Sequence, residues 1–143
     1  MPYHYLEDIA TADVAFEARG KDLAELFTAA ADATMNVMVA DLASIEKREE
    51  LEFVVEHEEL DMLLFNFLQE FIFFKDARRL LLRVLSVSVS SGNNGFSLKA
   101  KAAGEELDPE KHDLIVDVKA VTLYRFAVQQ TEDGWMATVV LDI

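Results

Sequence analysis

Residues 80–103 read LLLRVLSVSVSSGNNGFSLKAKAA. Two strand-like stretches, Leu80–Val89 and Phe96–Ala103, flank Gly92-Asn93-Asn94-Gly95, and so tight a turn joins two neighbouring antiparallel strands. Ser86–Gly95 is the most loop-like tract of the chain, with Ser91–Gly95 as its turn. A hairpin at this position argues against an alternating parallel fold, in which each strand is followed by a helical crossover.

Upstream, a helix starts near Glu59. Leu60, Leu63, Leu64, Phe67, Phe71 and Phe74 share one face, and Phe65, Leu68 and Ile72 widen it beyond half the circumference. A helix so broadly apolar is buried on two sides, as a central core element or as a helix that docks a partner. Glu58 and Glu59 at its start and Lys75, Arg78 and Arg79 near its end suit the helix dipole. Further upstream, residues 12–18 read as a strand ending at Gly20. Asp22 and Glu25 form a capping-box arrangement, and Leu23, Leu26, Phe27, Ala30, Thr34, Val37 and Met38 follow with helical spacing to about Val39. Glu52–Glu56 encloses a short strand.

Downstream of the hairpin, Leu107-Asp108-Pro109-Glu110 is turn-like. Ile115–Gln130 alternates as one long strand, with Val116, Val118, Ala120 and Thr122 on one face and Asp117, Lys119, Val121 and Leu123 on the other. Glu132-Asp133-Gly134 turns the chain into a last strand, Trp135–Ile143. The predicted class is α+β: mostly antiparallel sheets packed with two main helices, a single domain over residues 1–143. Two prolines and five glycines leave little punctuation for a second domain.

Composition narrows the function. Apolar residues make up 52% of the 143, and cysteine is absent, which removes disulfides, thiolate zinc sites and a cysteine nucleophile. Met1-Pro2-Tyr3-His4-Tyr5 lacks the basic region and apolar run of a secretion signal. The most apolar run, Leu60–Phe74, is shorter than the ~20 residues of a membrane span. A cytoplasmic location is the expectation. Twenty-seven acids against 13 Lys and Arg leave a net charge of −14. Such a surface repels nucleic-acid phosphates and suits cations or a basic protein partner; acidity that serves solubility alone is the plainer reading.

No phosphate loop and no nucleophile elbow is present. What stands out is acids in apolar settings: Asp13 within Thr11–Phe16 and Asp142 within Val139–Ile143. A carboxylate between buried strand residues is costly unless paired or ligated, although strand alternation also allows both to point outward. The Ile143 terminal carboxylate lies one residue from Asp142. Three such oxygen donors would make a site for a hard divalent cation, calcium foremost, with magnesium or manganese next. His112 could add a nitrogen ligand or a supporting contact, and Lys119 shares a strand face with Asp117, where a surface ion pair is the ordinary reading.

Thr11-Ala12-Asp13-Val14, Lys119-Ala120-Val121-Thr122 and Val140-Leu141-Asp142-Ile143 together resemble the archease family. Gly20 with Asp22–Phe27, Leu63-Leu64, Gly104-Glu105, His112 and Gly134-Trp135 extend the resemblance over essentially the whole chain. The resemblance implies an α+β fold with two helices and a non-enzymatic cofactor protein of RtcB-type tRNA-splicing RNA ligases, one that promotes ligase guanylylation and multiple turnover. It assigns metal binding and activity to Asp13, Asp142 and Lys119, with His112 and the Ile143 carboxylate as neighbours. Many relatives carry His immediately before Thr-Ala-Asp, where this chain has Ala10; Glu7 or Asp8 would be the substitute carboxylate. Two other readings stay open: a stand-alone metal-dependent phosphate-ester hydrolase, and a chaperone-like module that binds proteins through Phe65–Phe74. Stable nucleic-acid binding and membrane association are not expected.

Overall fold

The computed structural model describes residues 2–7 and 13–143. Its elements run β1 (Tyr3–Leu6), β2 (Asp13–Gly20), α1 (Leu23–Met38), β3 (Glu49–His57), α2 (Leu60–Arg78), β4 (Leu80–Gly92), β5 (Gly95–Glu106), β6 (Ala120–Thr131) and β7 (Gly134–Asp142). The strands form two antiparallel sheets, ordered β1-β2-β7-β6 and β3-β5-β4. The fold is the expected α+β arrangement with two main helices, although Ala12 and the Thr11-Ala12 part of the first motif lie outside the described residues.

The β4–β5 hairpin forms as its turn dictates. Gly92 pairs with Gly95 across Asn93 and Asn94, and Gly95 adopts φ 111°, a conformation a side chain would strain. Strand β4 runs past the expected end at Val89 to Gly92, so the loop-like tract from Ser86 is strand up to the turn itself. There the exposed Ser86, Ser88 and Ser90 alternate with half-buried Val87 and Val89, so the polar content is the solvent face of a strand.

Helix α1 begins where Asp22 caps it, its carboxylate accepting from the Glu25 amide at 2.8 Å. Buried Ala29, Ala30, Ala31 and Ala33 let it approach β2 and β7 on one side and β4 on the other. Helix α2 touches β6 of one sheet and β3, β4 and β5 of the other. That two-sided burial explains its broad apolar face: Leu63, Leu64, Phe67, Leu68, Phe71 and Ile72 are all buried. Phe53, Phe67 and Phe71 pack ring against ring at 5.1–6.3 Å, and full burial of each such side chain contributes about 2 kcal/mol. Phe73 is the exception, exposed on the outer side of the helix.

Strand β1 was not expected from the sequence, and one expected boundary needs correction. Strand β6 starts at Ala120 rather than Ile115. The residues before it divide between two partners: the Ile115 amide donates to Met38 O, at the end of α1, at 2.9 Å, and only at Lys119 does the backbone reach β7, its amide donating to Asp142 O at 2.8 Å. No helix among the described residues is long and apolar enough to cross a membrane.

Candidate functional site

Strands β2 and β7 pair without interruption from Gly20↔Trp135 to Asp13↔Asp142. Residues directly opposite in an antiparallel pair project to the same face, with β-carbons about 4.5–5.5 Å apart. The register therefore sets the Asp13 and Asp142 carboxylates side by side, although the two residues sit at opposite ends of the chain. Leu141 and Phe16 are fully buried on the core face, and the alternation turns both aspartates to the other face, where they are half-buried. Burial is thus not what makes the pair notable. Like charges opposed across a ladder repel, and among the described residues neither aspartate is ion-paired with Lys, Arg or His.

On its other side β7 pairs with β6, and Ala120 stands opposite Asp142. Lys119 thereby enters the same corner: its amide holds the Asp142 carbonyl, and its side chain is exposed. Half-buried Ile143 follows directly. Helix α2 fixes the backbone on both sides of Lys119. The ammonium of Lys75, only 6% exposed, donates to Val118 O at 2.7 Å, to Asp117 Oδ1 at 2.6 Å and to Asp76 Oδ1 at 2.5 Å. Gln69 Oε1 accepts from the Val121 amide at 3.2 Å. Asp117 is consequently the partner of Lys75, not of Lys119 as its place in the sequence suggested.

His112 is buried, at 2% exposure. Its Nδ1 accepts from the Asp108 amide at 2.9 Å, so the proton sits on Nε2, which donates to Glu105 at 3.0 Å. Both ring nitrogens are engaged, and in this arrangement neither is offered to a cation. Glu105 also accepts from the Glu46 amide at 2.7 Å, from Lys111 at 2.8–2.9 Å and from Arg48 at 3.2 Å. Burial alone would raise the Glu105 carboxyl. The Glu46 amide, Lys111 and His112 outweigh it and hold the group down at about 2.

Among the described residues no three His, Asp or Glu side chains form a metal-holding group. Two opposed carboxylates with no ion-pair partner among the described residues nonetheless have the donor chemistry of a hard-cation site, whose remaining oxygens would come from a terminal carboxylate, main chain or water. Asp8, a proposed substitute for the missing imidazole, lies outside the described residues; Glu7 is exposed.

The sequence reading overlooked the residues that position the site. Lys75 gave a signal only as one of the basic residues near the end of α2, and Gln69 gave none.

The Archease protein family (MTH1598/TM1083) matches residues 3–143. The chain is 42% identical to protein archease of Pyrococcus abyssi over 93% of this chain and 94% of that one. It is 35% identical to protein archease of Methanosarcina acetivorans over 99% and 95%. Among solved structures, protein 1598 of Methanobacterium thermoautotrophicum superposes with a TM-score of 0.85 at 31% identity over 99% of both chains. An archease of Thermotoga maritima, described as a possible chaperone, shares the fold with a TM-score of 0.57 at 19% identity over 98% of both. With one family spanning nearly its whole length and a relative at 42% identity, the chain belongs to the archease family.

Proposed function

We propose that the chain is a non-enzymatic accessory protein of an RtcB-type RNA ligase in tRNA splicing and RNA repair. In this reading it acts in the cytoplasm through a divalent cation, calcium foremost, held by Asp13, Asp142 and the Ile143 carboxylate. The observation that carries the proposal is the register Asp13↔Asp142, which opposes two carboxylates with no counter-charge from the described residues. Family membership supports the accessory role.

A bound divalent cation would supply the positive charge that the two carboxylates lack. The chain's own contribution is geometric. The β2–β7 ladder fixes the spacing of the carboxylates, and the Lys119 amide fixes the β7 backbone beside Asp142. The Lys119 ammonium then stands at the edge of the site to meet an acid or phosphate on the ligase. His112 serves at a distance, by closing the Glu105 cluster that braces residues 105–112. The ligase is thereby biased towards its guanylylation-competent state, by as much as the chain prefers that state over the other.

The test is transfer of labelled guanylate from GTP to a purified RtcB-type ligase, with and without the chain. Asp13→Ala and Asp142→Ala are each expected to abolish the stimulation while the protein stays folded. Stimulation equal to that of the unsubstituted chain from both variants overturns the proposal.

A further inference from the structure

Strand β6 forms an edge of its sheet, and its ladder is interrupted. The register passes from Thr122↔Val140 to Ala127↔Thr138, so the four residues Leu123–Phe126 stand opposite Val139 alone. Phe126 turns inward and meets Phe65 edge-on at 5.5 Å. The other three turn out. Leu123 is 62% and Tyr124 52% exposed, and the Arg125 guanidinium lies 5.3 Å from the centre of the Tyr124 ring. Arg125 has φ 55°, in the left-handed region that a β-carbon disfavours. The backbone thus carries strain to hold two large side chains in water, where they add nothing to the core. Strain of this kind persists where the surroundings enforce it and gathers at functional surfaces, and bulges re-aim side chains beside such sites.

The loop-out is continuous with the corner already described. Leu123 is three residues beyond Ala120, the partner of Asp142, a span of about 10 Å. On the other side of Lys119, Ile115 and Val116 are also exposed. We propose that Leu123 and Tyr124, together with Ile115 and Val116, form the surface that seats the chain on its protein partner, with Arg125 and Lys119 against carboxylates of that partner. The partner's identity as the ligase rests on the reading above.

Three observations select a folded protein as the occupant. A second copy would bring another −14 and be repelled, and RNA is disfavoured on the same ground. Addition of an extra strand is disfavoured because the loop-out breaks the hydrogen-bonding edge of β6 midway. The charges complete the case. From Leu114 to Phe126 the charged residues are Asp117, Lys119 and Arg125. Asp117 is ion-paired with Lys75, whose ammonium it shares with Asp76; Lys119 and Arg125 make no ion pair among the described residues. Two uncompensated cations on an otherwise apolar strip, in a chain with so large an excess of acid, complement a seat edged with carboxylates.

The experiment titrates the full chain against an RtcB-type ligase and reads fluorescence anisotropy of the labelled chain and ligase guanylylation in parallel. Leu123→Asp is expected to raise the half-saturating concentration in both readings roughly tenfold, as loss of an apolar anchor does, and excess chain recovers the guanylylation rate. Asp142→Asn is expected to show the opposite split: binding kept, stimulation lost at any concentration. Tyr124→Ser, with a melting temperature equal to that of the unsubstituted chain, serves as the second variant should aspartate at 123 perturb folding. Half-saturating concentrations within about twofold of the unsubstituted chain for both surface variants, alongside lost stimulation in Asp142→Asn, overturn the docking surface and leave the ligase reading standing. If the unsubstituted chain neither binds nor stimulates the ligase, the ligase reading fails and takes the proposed partner with it. A dimer, or retention of labelled RNA, that disappears on Leu123→Asp overturns the inference in favour of those occupants.

Discussion

Two groups of acids in this molecule have opposite fates. Glu105 is closed in: 7% exposed, it meets Lys111, Arg48, His112 and the Glu46 amide. Asp13 and Asp142 are left open, half-buried, facing each other across a ladder with no cation from the described residues. In a chain with 27 acids, the number of carboxylates says nothing about where function lies. The difference between these groups is more telling: Glu105 is matched to partners inside the fold, whereas the β2–β7 register holds two unpaired acids directly against each other.

Removing the closed acid should have the largest effect. Glu105→Ala leaves Lys111 and His112 facing a vacated, buried position and is expected to cost about 3 kcal/mol in urea unfolding. A loss below ~1 kcal/mol, the range of an exposed pair, would erase the contrast. Acid should act on the same cluster. The folded Glu105 carboxyl sits at about 2 against an ordinary 4.5, a depressed value, so its contribution is complete above pH 4.5 and is lost as pH falls from there towards 2. Thermal midpoints followed down this window should fall less steeply in Glu105→Gln than in the unsubstituted chain.

The open pair should respond to metal instead. Calcium at a hundred times its dissociation constant is expected to stabilise the protein by about 2.7 kcal/mol. A chelator should reverse the gain, and Asp142→Asn should abolish it; an equal calcium response in that variant would mean that the cation binds elsewhere. The smallest effect is expected for Asp142→Asn without metal, a change within about 0.5 kcal/mol and towards greater stability, because it relieves a like-charge contact.

The fold was legible where local chemistry decides it. Asp22 accepts from the Glu25 amide as the capping pattern requires, the Gly-Asn-Asn-Gly turn closes its hairpin, and the broad apolar face of α2 matches its two sheet neighbours. It was illegible where the deciding partner is remote. Residues 115–119 alternate like a strand, yet the Ile115 amide goes to Met38 O at the end of α1. Tyr3–Leu6 is only four residues long and is a strand because β2 offers it an edge. At the site, the residue types at Asp13 and Asp142 were evident, but their opposition is a property of register. His112 looked like a candidate ligand because sequence does not display Glu105, seven positions away, folded back onto its ring.

The pairing of β2 with β7 also sets when the aspartate pair comes into being. Its two members are separated by most of the polypeptide, so bringing them together requires closing a very large loop, and contacts of such long range form slowly. A nascent or partly unfolded molecule holds the two oxygens far apart and has no pincer with which to take up a cation. A cation site of the kind proposed would therefore exist only once tertiary structure is complete.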